Sequence, residues 1–113
     1  MESEFQEFVG EVKRHLDARR VELTCHEYGR RPGRKYSLRA PKVFAWVHKK
    51  PRLGCLAVGT RQEWADKAGL HDYTFKTNTQ FNGPGAHWRI AAGDRASLKK
   101  VAREIVLVRE VRH

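Results

Sequence analysis

Apolar residues in this chain form a helical stripe at each end and a series of short alternating runs between them. Phe5, Phe8, Val9, Val12 and Leu16 recur at helical spacing and predict an amphipathic first helix, with both phenylalanines in the core. Ser3, with Gln6 three residues on, has the form of a capping box. Glu2, Glu4 and Glu7 near its start and Arg14, Arg19 and Arg20 near its end suit the helix dipole. Leu98, Val101, Ala102, Ile105 and Val108 make the second stripe, and Asp94 stands before it as a helix cap.

The middle of the chain alternates with period two instead. Val21 to His26 sets Val, Leu and Cys against Glu, Thr and His, which predicts a short half-buried strand or an extended connection. Tyr28 to Lys35 contains two glycines and a proline, so it reads as a mobile or turn-rich loop. Lys35 to Arg39 alternates again, with Tyr36 and Leu38 on one side, until Pro41 breaks it. Val43 to Val47 has high β propensity, His48 to Arg52 reads as a turn, and Leu53 to Val58 as the returning strand. These two strands predict an antiparallel hairpin at the centre of the sheet, tipped by Lys49, Lys50 and Arg52. Period two puts Phe44 and Trp46 on one buried face.

Thr60 and Glu63 repeat the capping-box spacing and predict a helix of two to three turns. Trp64, Ala65 and Ala68 would face inward and Gly69 would end it. Asp72 to Asn82 shows no clear period, and Asn82 to Gly85 is a loop. Ala86 to Ala91 reads as a strand with Trp88 and Ile90 on one face and His87 and Arg89 on the other. The expectation is a single α+β domain over residues 1–113. Its antiparallel sheet is packed by the N-terminal and C-terminal helices and one short internal helix.

Charge changes this picture more than composition does. The chain has 113 residues and a net charge of +10. Between Glu27 and Glu63 there is no acid, while Arg30, Arg31, Arg34, Lys35, Arg39, Lys42, Lys49, Lys50, Arg52 and Arg61 all lie there. Those ten cations equal the whole net charge, because acids and bases balance in the rest of the chain. A concentrated positive field attracts polyanions: nucleic acid, an anionic membrane face or an acidic protein. A solvated surface with no specific partner is the plain alternative.

Other chemistry is sparse. No apolar run is long enough to cross a membrane, and the acidic N-terminus is unlike a signal peptide, so the expectation is a cytoplasmic protein. Cys25 and Cys55 then stay reduced, Cys55 as a small buried thiol. A disulfide between them is geometrically possible but disfavoured by that compartment. Neither Cys-x-x-Cys nor a helical His pair is present, and no metal or cofactor is implied. Phosphate-loop and nucleophile-elbow motifs are missing. Glu11 and Lys13 have a nuclease-like spacing but sit on the first helix, where they read as a surface pair. Cys25 and His26, as strand neighbours, point to opposite faces and do not suit proton transfer.

Three stretches resemble known proteins: Lys35-Tyr-Ser-Leu-Arg39, Val43-Phe-Ala-Trp-Val47 and Gly85-Ala-His-Trp-Arg-Ile90, with Ser97-Leu98 opening the last helix. From Tyr36 to about Val106 the pattern resembles a small uncharacterised bacterial domain at the C-terminus of predicted transport and restriction-associated proteins. More loosely it is similar to the YjbR-like double-wing family. The resemblance implies an α+β fold and no established activity, and the basic loop has no counterpart in it.

The leading functional expectation is a nucleic-acid-binding module, DNA or RNA, that engages the phosphate backbone. Its site would comprise Arg30, Arg31, Arg34, Lys35, Arg39, Lys42, Lys49, Lys50 and Arg52, with Tyr28 and Tyr36 stacking on bases. A glycine-hinged arm can follow a backbone or enter a groove, and a basic hairpin tip can act as a wing. The alternatives are a module that docks an acidic protein partner through the same surface, and an enzyme that uses His87.

Overall fold

The computed structural model describes residues 1–77 and 83–112. Two long helices, α1 (Glu2–Asp17) and α3 (Arg95–Val111), flank a six-stranded sheet and a two-turn helix, α2 (Gln62–Lys67). The strands are β1 (Thr24–Tyr28), β2 (Lys35–Arg39), β3 (Val43–Lys50), β4 (Cys55–Arg61), β5 (Thr74–Lys76) and β6 (Gly85–Ala91). Their spatial order is β1-β2-β3-β4-β6-β5, every pairing antiparallel, so the β3–β4 hairpin is central as expected. The α+β class is as the sequence predicts. β5 falls in the stretch without a clear period. Of the predicted loop Asn82 to Gly85, Asn82 lies outside the described residues and Gly85 already begins β6. No described helix is long and apolar enough to cross a membrane.

Both helical stripes are buried where the periodicity puts them. Phe5, Phe8, Val12 and Leu16 of α1 meet Leu98, Val101, Ala102, Ile105 and Val108 of α3 in one core. Asp94 caps α3 by accepting a hydrogen bond from the Ser97 amide at 3.1 Å. At the other N-terminus the expectation fails: α1 begins at Glu2, so Ser3 lies inside the first turn, and Gln6 donates to Glu2 instead.

Residues paired directly across antiparallel strands share a face, so the register sorts the sheet into two sides. Leu38, Ala45, Val47, Leu56, Val58, Ala86, Trp88 and Ile90 form one side, and all are buried in the core with the helices. Trp46 belongs to the other side. Leu38 pairs with Ala45 while Arg39 pairs with Val43, which leaves Phe44 as an extra residue in a β-bulge. Phe44 and Ala45 therefore both turn inward and are fully buried, and Trp46 is turned outward and only half-buried. The bulge overturns the expected common face of Phe44 and Trp46.

The same region explains the misplaced internal cap. Thr60 is still in β4 and fully buried, and its hydroxyl donates to the Phe44 carbonyl at 2.8 Å. A bulge takes its backbone out of the regular ladder, and Thr60 satisfies the carbonyl. The helix that follows starts at Gln62 and has six residues. The hairpin turn also shifts: β3 continues through Lys50, and a single 3-10 turn at Pro51–Leu53 ends on Gly54 in the left-handed region, φ 62°. β1 begins three residues later than expected and is an exposed edge strand.

Candidate nucleic-acid interface

The side of the sheet away from α1 and α3 is built mainly from small and basic residues. Its rows can be read across the strands: His26, Ser37, Trp46, Gly59, His87 and Thr74 in one, and Tyr28, Lys35, His48, Ala57 and Arg89 in the next. Lys50, Cys55 and Ala91 extend it at one end, Arg61, Gly85 and Lys76 at the other. Every charged strand residue on this side, among those described, is a cation: Lys35, Arg39, Lys50, Arg61, Lys76 and Arg89. Cys55, Ala57 and Gly59 of β4 form a low floor between Trp46, His48 and Lys50 on β3 and His87 and Arg89 on β6. The two flanking strands are two strand spacings apart, roughly 10 Å.

The expected site residues do not all join this surface. Tyr28, Lys35, Arg39 and Lys50 do, and Arg30, Arg31 and Arg34 stand beside it in the loop between β1 and β2. That loop is the connection of a β-hairpin, because Tyr28 pairs with Lys35. It is also anchored: the Gly33 amide donates to a Glu27 carboxylate oxygen at 2.9 Å and the Lys49 amide to the Arg34 carbonyl at 2.8 Å. Tyr28, half-buried, ends β1 on the basic side. Arg39 and Lys42 are exposed near the opposite end of β2, about 13 Å of strand away from Lys35. Arg52 is exposed in the 3-10 turn.

Lys49 and Tyr36 are corrections. Lys49 is 6% exposed and lies on the helix side, where its ammonium ion-pairs with Glu2 and sits 4.5 Å from the centre of the Phe5 ring and 5.0 Å from that of Tyr36. Burial pulls its pKa down, but the bonds to Glu2 and Tyr36 outweigh this and hold it above its ordinary 10.5. Tyr36 packs on Phe5, ring centres 4.3 Å apart, and its hydroxyl donates to Glu27. Neither side chain is presented to a polyanion on the basic side. The sequence places Lys49 on a polar hairpin tip and Tyr36 beside the basic loop; it is the bulge at Phe44 that turns Lys49 inward, because unbroken period two from Phe44 and Trp46 puts Lys50 inward instead.

Besides His48, three cations of the basic side are missed by the site predicted from sequence: Arg61, Lys76 and Arg89. The alternation of β6 already separates Arg89 from Trp88, so that signal was present. His48 is half-buried beside the loop, and burial, then Lys50, Lys35 and Arg34, lower its pKa. It is consequently neutral at pH 7. His87 is pushed down to about 4, by burial first and then by Lys76 and Lys50. Its direct cross-strand neighbours are Gly59 and Thr74, and Cys55 is four residues along β4, roughly 13 Å off, too far for proton transfer.

At the other end, Trp46 stacks with Trp64 of α2, ring centres 6.3 Å apart and planes 9° from parallel. The Arg61 and Arg112 guanidinium groups lie 5.5 and 4.6 Å from the Trp64 ring centre. Arg61 also pairs with Glu63 at 3.1 Å, which reduces its availability to a ligand. Arg112 and Arg109 donate to the Val43 and Ala40 carbonyls and fasten α3 to the start of β3.

Both cysteines are free. Cys25 is on β1 and Cys55 on β4, three strands away and on the opposite side, so a bridge within one molecule is excluded by geometry. No group of three metal-ligating side chains occurs among the described residues. No family model, curated protein or solved structure matches this chain.

Proposed function

We propose that the chain binds nucleic acid along the basic side of its sheet, mainly through the phosphate backbone. The observation that carries this reading is the absence of any acidic side chain among the described strand residues on that side, against six cations. The low floor of Cys55, Ala57 and Gly59 gives a trough in which one strand can run lengthwise. Lys50 and Arg89 on its walls reach phosphates, and Trp46 offers an aromatic surface to a base.

A salt titration tests it. Affinity for a single-stranded oligonucleotide should fall with a log–log slope of about −0.7 for each phosphate contact. The double change Lys50→Gln and Arg89→Gln should flatten the slope by roughly 1.4. Lys99→Gln with Arg103→Gln, on the exposed side of α3, should leave it unchanged. Equal flattening by both pairs would mean that net charge alone is at work. Tight, salt-insensitive capture of an acidic protein with no oligonucleotide binding would replace this reading.

A further inference from the structure

The β1–β2 connection is longer than a hairpin requires. Six residues, Gly29 to Arg34, join the paired residues Tyr28 and Lys35, where two would close the strands. The extra length forms a half-open pocket of about 440 Å³ between the loop and β3, lined by Gly29, Arg30, Arg31, Arg34, Lys35 and His48. That volume is within the range of sites for small ligands, roughly 300–1,000 Å³. Gly29 and Gly33 hold φ angles of 91° and 72°, which other residues rarely adopt, and so set the course of the loop.

The lining contains four permanent cations and no carboxylate. Glu27 belongs to the helix side, paired with Tyr36, and one of its oxygens accepts from both the Gly33 amide and the Tyr36 hydroxyl. It anchors the loop and does not line the pocket. A ligand that answers four cations in one small space should carry more than one negative charge and several acceptor oxygens. An internal phosphodiester brings a single charge. A terminal phosphomonoester brings about −1.5 to −2 at pH 7 and three free oxygens, and arginine forks grip such oxygens in pairs.

We infer that this pocket captures the terminal phosphomonoester of a nucleic-acid strand, with the rest of that strand running from Lys35 past His48 along the basic side of the sheet. The inference rests on the nucleic-acid reading above and adds the part of the ligand that is recognised.

The test uses the full chain and one single-stranded sequence in three forms, with a 5′-phosphate, a 3′-phosphate or hydroxyls at both ends. Fluorescence anisotropy reads the affinities. One phosphorylated form should bind at least tenfold more tightly than the hydroxyl form. Arg31→Ala with Arg34→Ala should bring it to the hydroxyl level while the hydroxyl form loses little. Arg34→Lys, which keeps the charge but not the fork, should recover only part of the preference. The His48 imidazole, followed by NMR, should titrate at higher pH when the phosphorylated strand is bound and not when the hydroxyl form is. Equal affinity for all three forms would overturn the inference and leave the nucleic-acid reading standing, whereas failure of all three to bind would overturn both. A nucleoside monophosphate that binds as tightly as the phosphorylated strand would make this a free-nucleotide site and overturn the strand-end assignment.

Discussion

The two sides of the sheet come from the same six strands and differ most clearly at adjacent residues of β3. Lys49 points toward the helices, where Glu2 and the Phe5 and Tyr36 rings enclose its charge. Lys50 points the other way, onto a side whose charged strand residues, among those described, are all cations. The helix side tolerates one cation because a carboxylate and two ring faces compensate it. The basic side gathers cations with few such partners, and repulsion among them is relieved by water or by a polyanion. The same residue type thus serves packing on one side and is available for binding on the other. The bulge at Phe44 decides which is which over the length of β3.

The largest expected effect tests that bulge. Phe44→Ala removes a fully buried ring and should cost about 3–5 kcal/mol in urea unfolding. Trp46→Ala, on the other side and half-buried, should cost clearly less. Similar losses for the two variants would mean that Phe44 and Trp46 share a face after all, and that the division of the sheet is misplaced.

Thr60→Val comes next. It keeps the shape but leaves the bulge carbonyl of Phe44 without its donor, a loss of roughly 1–3 kcal/mol. No change in the urea midpoint would show that the bulge does not depend on this bond.

The comparison sharpens with the two lysines themselves. Lys49→Gln should destabilise by about 1 kcal/mol through lost ring contacts and ion pairing. Lys50→Gln should change stability by less than about 0.5 kcal/mol while weakening oligonucleotide binding. The Lys49 pair also has a pH signature. Glu2 is held below its ordinary 4.5 by Gln6 first and Lys49 second, so its contribution is present above 4.5 and is lost as pH falls through the lowered value. Thermal melts of the Lys49→Gln variant should show a weaker loss of stability in acid than those of the parent chain.

A separate effect, visible only as a pH dependence, concerns His87. Its folded pKa is about 4 against an ordinary 6.5, so between these values the unfolded chain binds a proton that the folded chain does not. Stability should therefore fall as pH drops from 6.5 toward 4. His87→Gln, which cannot titrate, should remove that part of the slope. An identical slope in urea midpoints between pH 7 and pH 4.5 would show that His87 is not shielded as described.

Periodicity alone located α1, α3 and the core of the central hairpin, because each apolar stripe in them is local and continuous. Asp94 was legible for the same reason, since its partner Ser97 is three residues away. The charge-rich window and the loop residues Arg30, Arg31, Arg34 and Lys35 were also visible as a cluster, although not as the lining of a pocket. His48 and Arg89 join them only when β3, β4 and β6 are set side by side.

What the sequence by itself determined was thus the helices, most of the strands and the segment that concentrates positive charge. Tertiary structure decided which side of the sheet each residue serves. A single bulged residue reverses the alternation of every position after it, and nothing in Val43-Phe-Ala-Trp-Val47 marks where that happens. The fates of Lys49 and Thr60 depend on partners 47 and 16 residues away, Glu2 and the Phe44 carbonyl. A polar side chain becomes buried or exposed according to whether such a distant partner arrives, because burial without one costs more than folding can recover.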